Sequence, residues 1–156
     1  MTNTDINLIL HEVKNITCCK YDRDTTLLEI SKLLKNNVFH YDWVGFYLLN
    51  ESHDGLILGP YSGSSTEHTF IPMGKGICGQ VAQRKETMIV QDVTKVENYL
   101  SCSINVQSEI VVPILKDGAF IAFSFANFII SSSTIYPEKS FTLFSFSDSC
   151  PIDILS

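Results

Sequence analysis

The sequence predicts an α+β domain in which one antiparallel β-sheet is backed by helices. Apolar residues near the N-terminus recur at helical spacing, so they form stripes that must be buried. Further on, runs of branched and aromatic residues are joined pairwise by short polar turns, which make neighbouring strands antiparallel. A chain of 156 residues fits one such core and not two.

Taken in order, Leu10, Val13 and Ile16 share one face of a helix over residues 6–17. Asp24 is placed to cap a second helix. Its first turn holds Thr25 and Thr26, and Leu27, Ile30 and Leu34 repeat along one side with lysines at 32 and 35 opposite. The period then changes to that of a strand over residues 42–49, a polar turn Ser52-His53-Asp54-Gly55 follows, and residues 56–61 return as the second arm of a hairpin. Residues 62–68 read as a polar loop. Residues 74–85 read as a glycine-rich turn opening a short helix, residues 87–92 as a strand, and residues 96–106, which contain Cys102, as a mixed polar loop or short helix. Two last strands, 109–115 and 119–125, flank Lys116-Asp117-Gly118, whose Asp-Gly is a hairpin signal.

Composition narrows the function. Seventeen carboxylates against 11 Lys and Arg give a net charge of −6, so no basic stripe is present to neutralise phosphates and nucleic acid is not an expected partner. No apolar run approaches the ~18 residues needed to span a bilayer, and the N-terminal segment lacks the pattern of a secretion signal. A cytoplasmic protein without a membrane partner is expected. In that compartment the five cysteines are read as thiols, and neither C-x-x-C spacing nor a Cys/His ligand pattern points to metal. The residues from 121 to 156 stand apart: nine of these 36 are serine, six are phenylalanine and four are charged. They show neither a helical period nor capping residues.

Several motifs have two readings. Gly74-Lys75-Gly76-Ile77-Cys78-Gly79 matches G-x-G-x-x-G, but it follows a polar loop and Pro72 where a dinucleotide site needs a parallel strand and crossover. Glycines that let a loop pass close to the sheet account for it better. Cys78 at a helix start and Cys102 in a polar segment are each either inert or reactive thiols. Glu109, at the mouth of an apolar strand, either meets a ligand amine or is solvated. Trp43 and Tyr47 are four apart on one strand face, where they wall a pocket or fill the core.

Together, Trp43-Val44-Gly45-Phe46-Tyr47-Leu48-Leu49, Leu58-Gly59-Pro60-Tyr61, Ile71-Pro72-Met73-Gly74-Lys75-Gly76-Ile77-Cys78-Gly79, Gln91-Asp92-Val93 and Ser108-Glu109-Ile110-Val111-Val112-Pro113 resemble the GAF domains of the free methionine-(R)-sulfoxide reductases. The resemblance covers about residues 25–122. It implies a GAF, or PAS-like, fold over residues 1–128, with 129–156 an atypical Ser/Phe-rich tail. It further implies an oxidoreductase acting on free methionine sulfoxide without a cofactor, reset by a thioredoxin-like reductant and assembled as a homodimer. Cys102 then matches the catalytic cysteine, Glu109 a carboxylate that holds the substrate, and Trp43 and Tyr47 aromatic pocket walls.

Two departures accompany the match. The loop in which the family carries a resolving cysteine is Thr66-Glu67-His68-Thr69 here, which leaves Cys78 as the motif-matched substitute. Where the family ends its last core strand with two aspartates, this chain has Ser124-Phe125-Ala126-Asn127. The reading from about Phe123 onward is that of an altered ancestral ending. These departures suit the alternative function, a noncatalytic GAF sensory module binding another small molecule.

Overall fold

The computed structural model describes residues 6–96, 106–116 and 119–128. In chain order its elements are α1 (Ile6–Cys18), α2 (Arg23–Asn37), β1 (Tyr41–Leu49), β2 (Gly55–Ser62), β3 (Phe70–Pro72), α3 (Gly76–Arg84), β4 (Met88–Val90), a single 3-10 turn (Val93–Lys95), β5 (Ser108–Lys116) and β6 (Ala119–Phe128). The described strands form one sheet in the order β3-β2-β1-β6-β5-β4, with every pairing antiparallel. The expected α+β class and antiparallel sheet are therefore observed.

Period-2 alternation divides the core into two clusters, one on each face of the sheet. On β1, Val44 and Phe46 face the helices, and they pack with Leu27, Ile30 and Leu34 of α2 and Ile9 and Val13 of α1. Trp43 and Tyr47 point to the opposite face, where Ile77, Cys78, Val81 and Ala82 of α3 meet Val111 of β5. The sequence reading put helices on one face. In the structure the short α3 covers part of the other, because its apolar residues fall at helical spacing and have no other surface on which to be buried.

The local chemistry accounts for the element boundaries. α2 is capped by Asp22 rather than Asp24: one Asp22 carboxylate oxygen accepts from the Thr25 amide at 2.9 Å and the other from the Thr25 hydroxyl at 2.6 Å. An N-cap side chain reaches the amide three residues on, whereas Asp24 already lies inside the first turn and accepts from the Arg23 guanidinium at 2.8 Å. The β1–β2 turn is held by Asn50, whose side-chain oxygen accepts from the amides of Asp54 and Gly55, both at 3.2 Å. β3 falls between the polar loop over 62–68 and the glycine-rich turn over 74–85, where the sequence pattern assigns no element. It is three residues long and ends in Pro72, which is tolerated because β3 is an edge strand.

The glycine-rich turn follows the steric reading. Gly74 and Gly76 have φ of 77° and 59°, backbone that side chains disfavour. A Cβ at Gly79 would stand 2.6 Å from the Pro72 carbonyl, and the Gly74 amide donates to the Gly79 carbonyl at 2.9 Å. These glycines let α3 lie directly on the end of β3, in a sheet whose antiparallel strands offer no dinucleotide crossover.

β6 runs three residues beyond its expected end. It pairs with both β1 and β5 through Phe128, so its last residues stay in register across the stretch assigned by sequence to an altered ending. Residues 129–156, read as the atypical tail, lie outside the described residues.

Candidate functional site

The face carrying Trp43 and Tyr47 gathers most of the residues singled out by sequence. Glu109 and Val111 alternate on β5 with Ile110 and Val112, and the latter two face the helices. Glu109 is therefore on the Trp43 side and is 1% exposed. Backbone register makes the relation tighter, because Asn127 of β6 pairs with Trp43 on one side and with Glu109 on the other. Trp43 and Glu109 thus stand in one cross-strand row, two strand spacings or about 10 Å apart. Cys78, in the first turn of α3, is buried in the same cluster as Trp43 and Tyr47. Cys102 lies outside the described residues.

A buried Trp or Tyr must find a partner for its polar atom, and here both partners lie in the β2–β3 loop. The Trp43 indole N–H donates to the Ser64 carbonyl at 3.0 Å. The Tyr47 hydroxyl donates to the His68 carbonyl at 2.8 Å. The Trp43 ring stacks on Tyr61 with centroids 5.1 Å apart and 14° between planes. It also occupies the space that a Cβ on Gly45 or Gly63 would need. Glycine at those two positions thus makes room for the tryptophan, and the two aromatics strap residues 63–69 onto the site face. Trp43 and Tyr47 are 1% and 0% exposed.

Sequence reasoning anticipated both aromatics on one face but not their hold on the loop, nor the place of Tyr61 in the stack. The available signal was that each aromatic carries a single polar atom that would need satisfying once buried. A surface groove between the start of α2 and the β1–β2 hairpin, lined by residues including Arg23, Leu48, Ile57 and Pro60, contains none of the residues expected to form the site.

The sequence pattern of the GAF domain matches residues 22–123. The chain belongs to the GAF domain family. Among its relatives, GAF domain-containing protein A of Dictyostelium discoideum is 34% identical over 113 residues, 72% of this chain and 70% of that protein. The free methionine-R-sulfoxide reductase of Saccharomyces cerevisiae is 44% identical over 77 residues, 49% of this chain and 42% of that one. Among solved structures, the free methionine-R-sulfoxide reductase of Neisseria meningitidis, determined in complex with its substrate, superposes with a TM-score of 0.81 at 30% identity. That match covers 88% of this chain and 80% of that one. The six-stranded curled sheet with its helices is the GAF fold. Among the described residues no helix is long and apolar enough to cross a membrane.

Proposed function

We propose that this GAF protein reduces free methionine-(R)-sulfoxide to methionine. The observation that carries the reading is Glu109, a carboxylate 1% exposed on the sheet face away from α1 and α2, in a cross-strand row with Trp43. A free amino acid brings an ammonium group suited to that carboxylate and a short apolar side chain suited to the aromatic surface of Trp43 and Tyr47. The likeness to reductases of free methionine sulfoxide supports the same substrate class.

In this proposal Cys102 is the nucleophile. Its thiolate attacks the electrophilic sulfoxide sulfur and the sulfoxide oxygen passes to the cysteine, so methionine departs and Cys102 is left as a sulfenic acid. The Cys78 thiol attacks that sulfenic sulfur, forming a disulfide and releasing one water. An external dithiol, thioredoxin-like in the cell, reduces the disulfide and is itself oxidised, which closes the balance. Glu109 holds the ammonium group, while the strapped β2–β3 loop shields the reacting sulfur from water.

The test is to incubate the full chain with free methionine-(R)-sulfoxide and dithiothreitol and to measure methionine. Wild type is expected to turn over, and Glu109→Gln is expected to raise KM at least tenfold. Tight binding of the sulfoxide with no methionine formed would replace this reading with the sensory one, which the absence of a cysteine from residues 62–69 favours.

A further inference from the structure

The described cysteines include two that the proposed reaction does not use, and they are adjacent. Cys18 ends α1 and Cys19 follows it; both are exposed and neither is in a disulfide. The Cys19 amide closes the end of the helix by donating to the Ile16 carbonyl at 3.1 Å. α1 packs against the opposite face of the sheet from Trp43, Tyr47 and Cys78.

We propose that Cys18 and Cys19 form a chelating site for a soft, thiophilic centre, trivalent arsenic being the representative case. The argument is geometric. Consecutive Cα atoms are about 3.8 Å apart, below the roughly 4.4–6.8 Å that an ordinary disulfide spans, so a direct bond between these sulfurs is strained and the dithiol is the favoured state. An intervening atom relieves the strain. Bonds of about 2.3 Å to each sulfur, the length in zinc thiolates, let the sulfurs sit further apart than the about 2.05 Å of a disulfide.

The number of ligands selects the guest. Among the described residues no group of three or more His, Cys, Asp or Glu is placed to hold a metal ion, so none of them completes a tetrahedral zinc site around this pair. Soft centres satisfied by two thiolates are what the pair suits. With an organoarsenic(III) oxide the step balances without redox change. Two As–S bonds form, arsenic stays trivalent, and the oxide oxygen leaves as one water with the two thiol protons. The second As–S bond closes intramolecularly at high effective concentration, which sets a chelating pair apart from a single cysteine.

Phenylarsine oxide at less than one equivalent per chain, followed by alkylation with iodoacetamide and peptide mapping, tests this on the full reduced protein. Cys18 and Cys19 are expected to be protected together, with one phenylarsenic bound in each chain that is protected. Cys18→Ser and Cys19→Ser, both exposed positions, are each expected to lower affinity about 100-fold or more. Release by 2,3-dimercaptopropanol but not by an equal concentration of a monothiol is expected. Protection that falls on Cys78, Cys102 or Cys150 while 18 and 19 remain alkylated overturns the proposal, as does unchanged affinity in both serine variants. These outcomes do not depend on whether the chain reduces methionine sulfoxide.

Discussion

Tyr47→Phe removes a single oxygen from a fully buried ring and leaves the packing of that ring intact. The lost bond, 2.8 Å from the Tyr47 hydroxyl to the His68 carbonyl, is one of the two side-chain straps that hold the β2–β3 loop to the sheet. A net hydrogen bond contributes about 0.5–1.5 kcal/mol, rising toward 3 only when the orphaned partner stays out of water. His68 is partly exposed, so its carbonyl can be rehydrated and the expected cost is about 1 kcal/mol. For a chain of this size that lowers Tm by about 2–4 °C, and it multiplies the local opening of the loop about fivefold. Amide hydrogen exchange reads the second effect directly. Exchange is expected to accelerate at Leu58, whose amide donates to the Thr69 carbonyl at 2.9 Å, and at the amides of residues 63–69, but not in α2. Unchanged Tm together with unchanged exchange, or acceleration spread evenly over the sheet and α2, would refute the strap.

Lys85 ends α3 in the left-handed region at φ 59° and ψ 31°, where glycine is favoured, so Lys85→Gly is expected to raise stability by about 0.5–1 kcal/mol in a urea melt. Ser124 is 1% exposed on the helix face, in register with Phe46 and Val112, and its hydroxyl has no hydrogen-bond partner among the described residues. Ser124→Ala is expected to stabilise the fold by up to about 1 kcal/mol by removing a desolvated hydroxyl, again read by urea denaturation. Hydrogen bonds from the Thr25 hydroxyl and amide hold the Asp22 carboxyl below its ordinary value, so its contribution is present above about pH 4 and is lost as pH falls through the lowered folded value. Asp22→Asn, which keeps a competent cap, is expected to show a shallower loss of Tm between pH 5 and 2 than wild type, as followed by circular dichroism.

The parts of this fold that were legible in the sequence are those with a repeated local signal. β1 and β2 declare themselves through a run of aromatic and branched residues followed by a polar turn, and β5 and β6 flank an Asp-Gly. The stripe of Leu27, Ile30 and Leu34 specifies α2. β3 was not legible, because three residues ending in proline show no period, and their strand state comes from pairing with Gly55, Leu56 and Ile57. The choice of Asp22 over Asp24 as cap depended on which carboxylate reaches the Thr25 amide, a matter of two residues along the chain. At the site, the common face of Trp43 and Tyr47 followed from spacing alone. Their hold on Ser64 and His68 did not, since the acceptors are backbone carbonyls 21 residues away that carry no sequence signature. The row joining Trp43 to Glu109 through Asn127 likewise required the strand order.

The central claim is that this site face serves a cysteine-based reduction of a free amino-acid sulfoxide. It is tested most directly by measuring methionine released from free methionine-(R)-sulfoxide, with dithiothreitol as reductant, by wild type and by Cys102→Ser. Multiple turnovers by wild type and none by the variant are expected. No methionine from wild type, or equal turnover by both proteins, would contradict the account.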